Sequence, residues 1–126
     1  MKSHLFILTG VVLILLDSLY FTIVQSYFNT QIRKIQGSSI QVNVISAILC
    51  YLVLAFGINY FIINENKNIF DAFLLGLTIY AIYELTNKAL LLNWHWTTVL
   101  IDSLWGGVLF AITTYIVRYV DKYKYM

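Results

Sequence analysis

The sequence predicts an all-α integral membrane protein, a four-helix bundle that crosses the bilayer up, down, up and down. Of its 126 residues, 60% are hydrophobic and only 11% are charged, and the apolar residues gather in long runs. A helical crossing needs about 20 apolar residues, so the chain has room for four spans in a single transmembrane domain, residues 1–126. The runs cover about residues 4–28, 42–63, 69–91 and 97–119.

Each run is long enough to be one helix, and the connections set the order of the bundle. The second and third connections are short, as in "NENKN" and "LNWHW", which makes successive helices antiparallel neighbours. A cleaved signal peptide is the rival interpretation of the first run, because Lys2 precedes it. The length of the run and Asp17 within it favour a retained span.

Charge and cysteine content exclude several classes of function. The net charge is +2 with scattered basic residues, which gives no basic stripe for nucleic-acid phosphates. Cys50 is the single cysteine, and His4 and His95 lie on opposite sides of the predicted membrane, so neither a disulfide nor a histidine metal site is expected. We therefore predict no cofactor, no metal and no nucleic-acid partner. The lipid bilayer is the expected environment, with a homo-oligomer or a larger membrane complex as a further possibility.

Basic residues predict the orientation of the bundle. Four spans place both termini on the same side, and that side carries the larger number of lysines and arginines, which favours cytoplasmic termini. Aromatic residues at the opposite boundary are typical of an interfacial belt, and Trp94 is expected there as an anchor. The basic residues on the side of the termini are Lys2, Lys67, Arg118, Lys122 and Lys124.

Three acids lie where no choice of span boundary removes them from the membrane. Asp17 occurs in "LLDSLY" (15–20), Asp102 occurs in the similar "LIDSLW" (100–105), and Glu84 lies in the third span. At 1.5 Å per residue they lie about 8 to 17 Å deep from the Trp94 side, in one half of the bilayer. An acid at a helix centre costs about 2.5 to 3.5 kcal/mol to insert. The acids are therefore expected to face the bundle interior, to meet hydrogen-bond donors, or to hold a proton.

Polar aromatic residues on the same helices are the expected donors. Tyr20 lies three residues after Asp17 and Trp105 three after Asp102, which puts each on the same helix face as its acid. Glu84 has Tyr80 four residues before it and Asn87 three after it, while Lys88 offers a competing i, i+4 ion pair. The candidate binding cluster comprises Asp17, Tyr20, Tyr80, Tyr83, Glu84, Thr86, Asn87, Asp102, Trp105 and Gly106.

Small residues recur at four-residue spacing on the last two spans. Ala72 and Gly76 lie on the third, and Ser103 and Gly107 on the fourth. This spacing lets membrane helices approach closely. We expect Gly106 and Gly107 to form a helix contact rather than to open space for a ligand.

The segments "YELTNKALLLNW" and "IDSLWGGVL", together with "LLDSLYF", resemble a family of small four-helix membrane proteins of unknown function. In that family the pattern reads approximately Leu-Asp-x-x-Trp, Tyr-Asp-Leu-Thr-Asn and Asp-x-x-Trp-Gly. The resemblance covers nearly the whole chain, which departs from the pattern at Tyr20, Glu84 and Lys88. It implies the fold and the following marked positions: Asp17, Tyr83, Glu84, Thr86, Asn87, Asp102, Trp105 and Gly106.

Three functions remain open on the sequence. The leading interpretation is a structural or assembly component of a membrane or membrane complex. A proton, cation or small-molecule transporter acting as an oligomer is the first alternative, since intramembrane acids are functional candidates. A membrane-embedded lipid-modifying enzyme is the second, although no nucleophile motif, paired-carboxylate motif or glycine-rich phosphate loop is present.

Overall fold

A computed structural model of the chain, which describes residues 2–124, contains four long helices. Each of the four is long and apolar enough to cross a membrane, which confirms the predicted all-α membrane bundle. The second span continues from α2 into a π-helical turn. The elements are α1 (Ser3–Gln36), α2 (Val44–Ile58), the π turn (Asn59–Ile63), α3 (Ile69–Leu90) and α4 (Trp96–Lys124).

Helix α1 extends eight residues beyond the predicted end of the first span. It ends at Gly37, whose φ of 78° is the left-handed conformation that glycine adopts without strain. The Gly37 N–H donates to the carbonyl of Arg33, and Arg33 and Lys34 lie in the last turn, where their charges oppose the helix dipole. The end of α1 is therefore a capped, basic helix terminus that continues past the apolar run.

Asparagine side chains begin the next two spans. Asn43 accepts a hydrogen bond from the N–H of Ser46 at 3.0 Å, and Asn68 accepts one from the N–H of Asp71 at 2.7 Å. Each cap satisfies one of the backbone donors that a helix start leaves unpaired. Asp71 also lies in the first turn of α3, where a carboxylate is favoured by the helix dipole.

The π turn carries a buried polar contact between the first two helices. Asn59 is fully buried, and its side-chain amide donates to Thr9 Oγ1 at 3.0 Å and to the carbonyl of Ala55 at 2.8 Å. Since lipid offers no hydrogen-bond partners, this contact ties α2 to α1. It lies toward the termini, away from the three acids.

Helices α3 and α4 form the tightest pair, as the small-residue spacing predicts. A Cβ atom added at Gly76 would lie 2.1 Å from the carbonyl oxygen of Gly106, and one added at Gly107 would lie 2.6 Å from the Phe73 ring. Only glycine allows the two backbones to approach so closely.

Helix α4 is the centre of the bundle. It packs against α3 on one side and α1 on another, and α1 also packs against α2. Helix α3 packs extensively with α4 alone among the described elements, so clefts remain between α3 and its other neighbours. The largest fully buried apolar side chains of the core are Phe110, Leu13, Ile58 and Leu109.

Candidate functional site

The three membrane acids converge on one cavity. Asp17 from α1, Glu84 from α3 and Asp102 from α4 all line a cavity of about 270 Å³. Glu84 is 1% exposed and Asp102 is 9% exposed, while Asp17 is half-buried. The acids therefore face the inside of the bundle rather than lipid, as the insertion cost requires.

Asp17 is held by donors from two other helices. Its Oδ2 accepts a hydrogen bond from the Tyr51 hydroxyl on α2, and its Oδ1 accepts one from the Trp105 indole nitrogen on α4 at 2.9 Å. Both oxygens are thus acceptors, the pattern of a carboxylate. Through these two bonds Asp17 links α1, α2 and α4.

Asp102 receives its donor from α1. The Tyr20 hydroxyl donates to Asp102 Oδ1 at 3.2 Å, and the Tyr20 ring stacks on Trp105 with centroids 4.5 Å apart and planes at 4°. The expected same-helix pairs, Tyr20 with Asp17 and Trp105 with Asp102, are therefore wrong. Because α1 and α4 are antiparallel, Asp17 lies level with Trp105 and Tyr20 level with Asp102, so each aromatic residue reaches the acid of the opposite helix.

Glu84 and Asp102 form a carboxyl pair. Both carboxyl groups line the same cavity and act on each other directly, and Glu84 Oε1 accepts a hydrogen bond from the Trp94 indole nitrogen at 2.9 Å. Two ionised carboxylates in one cavity repel each other, which favours a proton on one member of the pair. We assign it to Glu84, which is the more buried, because a neutral acid costs less to desolvate than a carboxylate.

Lys88 does not neutralise Glu84. Its ammonium group donates to the backbone carbonyl of Trp94 at 2.7 Å and lies 5.3 Å from the ring centre of Trp96. The single ion pair among residues 2–124 is His4 with Asp121, near the termini. Within that part of the chain, no cationic side chain pairs with the three acids.

Aromatic rings form much of the wall around the acids. Tyr20, Phe28, Tyr83 and Trp94 all face the same cavity as the carboxyl groups. A second cavity of about 310 Å³ lies between α2 and α3 and also reaches Asp102. The two cavities share three lining residues, which are Tyr80, Tyr83 and Asp102.

The remaining predicted residues divide into support and periphery. Trp105 binds Asp17 without lining the cavity, and Gly106 lies beneath Tyr80, where an added Cβ would be 2.3 Å from the tyrosine ring. Thr86 is exposed and Asn87 half-buried, and neither lines the cavity. The cavity contains six of the predicted residues: Asp17, Tyr20, Tyr80, Tyr83, Glu84 and Asp102.

Two donors to the acids were missed by the sequence reasoning. Tyr51 is one tyrosine among ten, and nothing in its local pattern marks it as a partner of Asp17. Trp94, which the sequence predicts to be an interfacial anchor, is instead 4% exposed, and its indole nitrogen donates to Glu84. Asn93 before it has a left-handed φ of 67°. A tryptophan directly after an asparagine in a short interhelical loop was the available signal.

The three acids do not come together as a three-carboxylate metal site. Across residues 2–124, no group of three or more histidine, cysteine or acidic side chains has the geometry to hold a metal ion. The carboxyl oxygens instead meet hydroxyl and indole donors. The arrangement suits proton exchange and the binding of a polar or cationic organic group.

These features define a small polytopic membrane protein with a carboxyl cluster inside a four-helix bundle. Residues 3–119 match the family described as "Predicted membrane protein (DUF2177)". The chain belongs to that family, which confirms the resemblance noted in its sequence. No curated protein and no solved structure matches the chain.

Proposed function

We propose that this protein is a proton-linked transporter of a small solute and that the Glu84–Asp102 pair is the site of proton exchange. The observation that carries the proposal is that all three acids line one cavity while no cationic side chain among residues 2–124 pairs with them. Binding a positively charged solute would compensate the carboxylates. Release of the Glu84 proton would then couple solute binding to proton movement.

The assembly interpretation accounts for only part of the arrangement. The hydrogen bonds of Asp17 do join three helices, as a device for fixing helix register would. However, an interhelical hydrogen bond contributes only about 0.6 kcal/mol on average, well below the cost of inserting an acid. Hydrogen bonds that only fix helix register also need neither a cavity beside them nor a separate pair of carboxyl groups.

Orientation and oligomeric state form part of the proposal. Cytoplasmic termini follow from the excess of basic residues on their side, which places the loop of Trp94 and the nearby acids in the non-cytoplasmic half of the membrane. We also propose a homo-oligomer, because four spans give a single chain few moving elements with which to expose one site alternately to both sides.

Flux in proteoliposomes tests the function. Proton movement would be driven by a gradient of sodium, potassium or methylammonium across the membrane and followed with a trapped pH-sensitive dye. We expect cation-dependent proton flux that falls at least tenfold in Asp102→Asn and in Glu84→Gln, because neither variant can share a proton between two carboxyl groups. Asp71→Asn, outside the cavity at the start of α3, is the matched control and should retain flux.

The same assay can contradict the proposal. Flux that is absent from the unmodified protein, or that survives unchanged in Asp102→Asn, would leave the carboxyl network with a role in helix register alone. Folding of each variant would be checked by its unfolding transition in detergent, so that lost flux is not confused with lost structure.

A further inference from the structure

The composition of the cavity wall indicates what kind of solute fits beside the acids. Aromatic faces attract cations, and they do so most strongly when the cation is desolvated. Carboxyl groups supply hydrogen-bond acceptors and negative charge at the same place. A combined aromatic and acidic wall is the recognition chemistry of an organic ammonium ion. The aromatic residues of this wall are Tyr20, Phe21, Phe28, Tyr80, Tyr83 and Trp94.

The charge balance of the site also calls for a cation. Asp17 uses both oxygens as acceptors, and the Glu84–Asp102 pair with one shared proton retains a second negative charge. No cationic side chain among residues 2–124 balances these charges, and the acids lack the arrangement of a three-carboxylate metal site. A bound organic cation would take over the positive charge that the proton of the Glu84–Asp102 pair supplies in its absence.

The packing of α3 provides a route from the lipid. This helix packs extensively against α4 only, and a cavity lies on each side of it, one facing α1 and the other facing α2. The α2 side is lined by apolar residues such as Leu54 and Ile79 and leads to Asp102. A solute that first dissolves in the bilayer could therefore reach the acids from the side, without crossing the polar surface.

From these three observations we infer that the solute is an organic ammonium ion with an apolar substituent and that it enters laterally beside α3. The inference rests on the proposed function and specifies its substrate class. Its apolar substituent lies in the aromatic part of the cavity, and its ammonium group lies against Asp102 and Asp17. An apolar cavity of about 150 Å³ already holds a benzene molecule, so a cavity of about 270 Å³ accommodates a phenyl group with a small ammonium head.

A matched pair of probes tests the substrate class. Benzyltrimethylammonium is a permanent cation, and neopentylbenzene has the same shape with a neutral carbon in place of the nitrogen. We would measure binding of labelled benzyltrimethylammonium to the protein in lipid nanodiscs and displacement by either compound. The expected result is saturable binding of the cation, at least tenfold tighter than that of the neutral probe, with release of about one proton per bound cation.

Proton release depends on the groups that surround the Glu84–Asp102 pair. The titratable or charged residues facing this region from the packed elements are Asp17 and Tyr20 on α1, Cys50 and Tyr51 on α2, and Tyr80, Tyr83 and Lys88 on α3. Glu84→Gln removes the carboxyl group that holds the proton. It should abolish proton release on cation binding, while Asp102 still supplies a charge for the cation.

Variants of Tyr83 separate a specific site from general partition into lipid. Tyr83 lines both cavities and is 59% exposed, so its replacement should not disturb folding. Tyr83→Leu removes the aromatic face and should weaken cation binding about tenfold, whereas Tyr83→Phe retains the face and should bind within twofold of the unmodified protein. Tyr115→Leu is the matched control, because Tyr115 is 61% exposed and lines neither cavity.

The outcomes distinguish this inference from the function on which it rests. Equal binding of the cation and its neutral isostere, or cation binding that is indifferent to Tyr83→Leu, would overturn the substrate class and the aromatic site. If flux with sodium or potassium still depended on Asp102, the transporter proposal would stand without it. If the unmodified protein showed neither flux nor cation binding, both the transporter proposal and the substrate class would be overturned.

Discussion

The two copies of the Asp-Ser-Leu-aromatic motif occupy the same layer of the bundle but have different surroundings. On α1, Asp17 is half-buried and accepts hydrogen bonds from Tyr51 and Trp105. On α4, Asp102 is buried, accepts a hydrogen bond from Tyr20, and lines the same cavity as the Glu84 carboxyl group. The first acid meets hydroxyl and indole donors, and the second meets another acid.

The residues that follow each copy explain the difference. Gly106 follows the α4 copy and admits α3 so closely that Tyr80 rests on it, which brings Glu84 of α3 beside Asp102. Phe21 follows the α1 copy, is 41% exposed and lines the cavity. The same motif thus meets hydroxyl and indole donors on α1, and on α4 it meets a second carboxyl group that a close helix supplies; the proposed function places proton exchange at the α4 copy.

The largest effect is expected from separating α3 from α4. Gly76→Ala would put a Cβ 2.1 Å from the Gly106 carbonyl oxygen, and a backbone atom cannot rotate away. Forcing extra volume into a packed interface costs up to about 3 kcal/mol, and we expect the free energy of unfolding to fall by about that amount. Denaturation by SDS in mixed micelles, followed by tryptophan fluorescence, would measure it.

Gly57→Ala is the control for the α3–α4 contact. A Cβ at Gly57 has no neighbour within 4 Å, and alanine is the better helix former, so stability should be unchanged or higher. A Gly76→Ala protein as stable as the Gly57→Ala protein would show that the close approach does not hold Glu84 against Asp102. The contrast between the two motif copies would then need another cause.

A smaller loss is expected from removing the anchor on α1. Asp17→Leu leaves the Tyr51 hydroxyl and the Trp105 indole without their acceptor. Measured interhelical hydrogen bonds average about 0.6 kcal/mol and reach about 1.7 kcal/mol, so losing two should lower the free energy of unfolding by about 1.2 kcal/mol. In SDS micelles the unfolded protein keeps its helices in an apolar phase. Removing the acid therefore stabilises both the folded and the unfolded state, and part of that gain cancels in the free energy of unfolding.

Two comparisons define the role of Asp17 in that experiment. Ser18→Leu changes the adjacent, exposed position and should leave stability within about 0.5 kcal/mol. Asp102→Asn retains an oxygen for Tyr20 and should cost less than Asp17→Leu. A larger stability loss in Asp102→Asn than in Asp17→Leu would reverse the roles assigned to the two copies.

The fold could be predicted from the sequence because it follows from local properties. Runs of about 20 apolar residues specify membrane helices almost independently of context. The convergence of Asp17, Glu84 and Asp102 on a cavity in one layer was also within reach, because an acid facing lipid is too costly and helix rise fixes its depth. Both inferences depend on one helix at a time.

The partners of the acids could not be predicted in this way, because they depend on how helices rotate against each other. Helical spacing assigned Tyr20 to Asp17, but the antiparallel contact with α4 gives it to Asp102. Likewise Lys88 has the spacing of an ion pair with Glu84, but its ammonium group bonds to the Trp94 carbonyl instead. Spacing along one helix indicates which residues share a face and does not indicate which neighbour that face meets.

The smallest effect is expected from removing the donor that one motif copy supplies to the acid of the other. This change also tests the cross-helix pairing most directly. Tyr20→Phe removes the hydroxyl that donates to Asp102 and keeps the ring that stacks on Trp105. We expect the free energy of unfolding to fall by about 0.6 kcal/mol. In a double-mutant cycle Tyr20→Phe should couple to Asp102→Asn and be additive with Asp17→Asn, because its hydroxyl donates across the bundle. Coupling to Asp17 instead would restore the same-helix pairing, while Tyr115→Phe, on an exposed face of α4, should leave every member of the cycle unchanged.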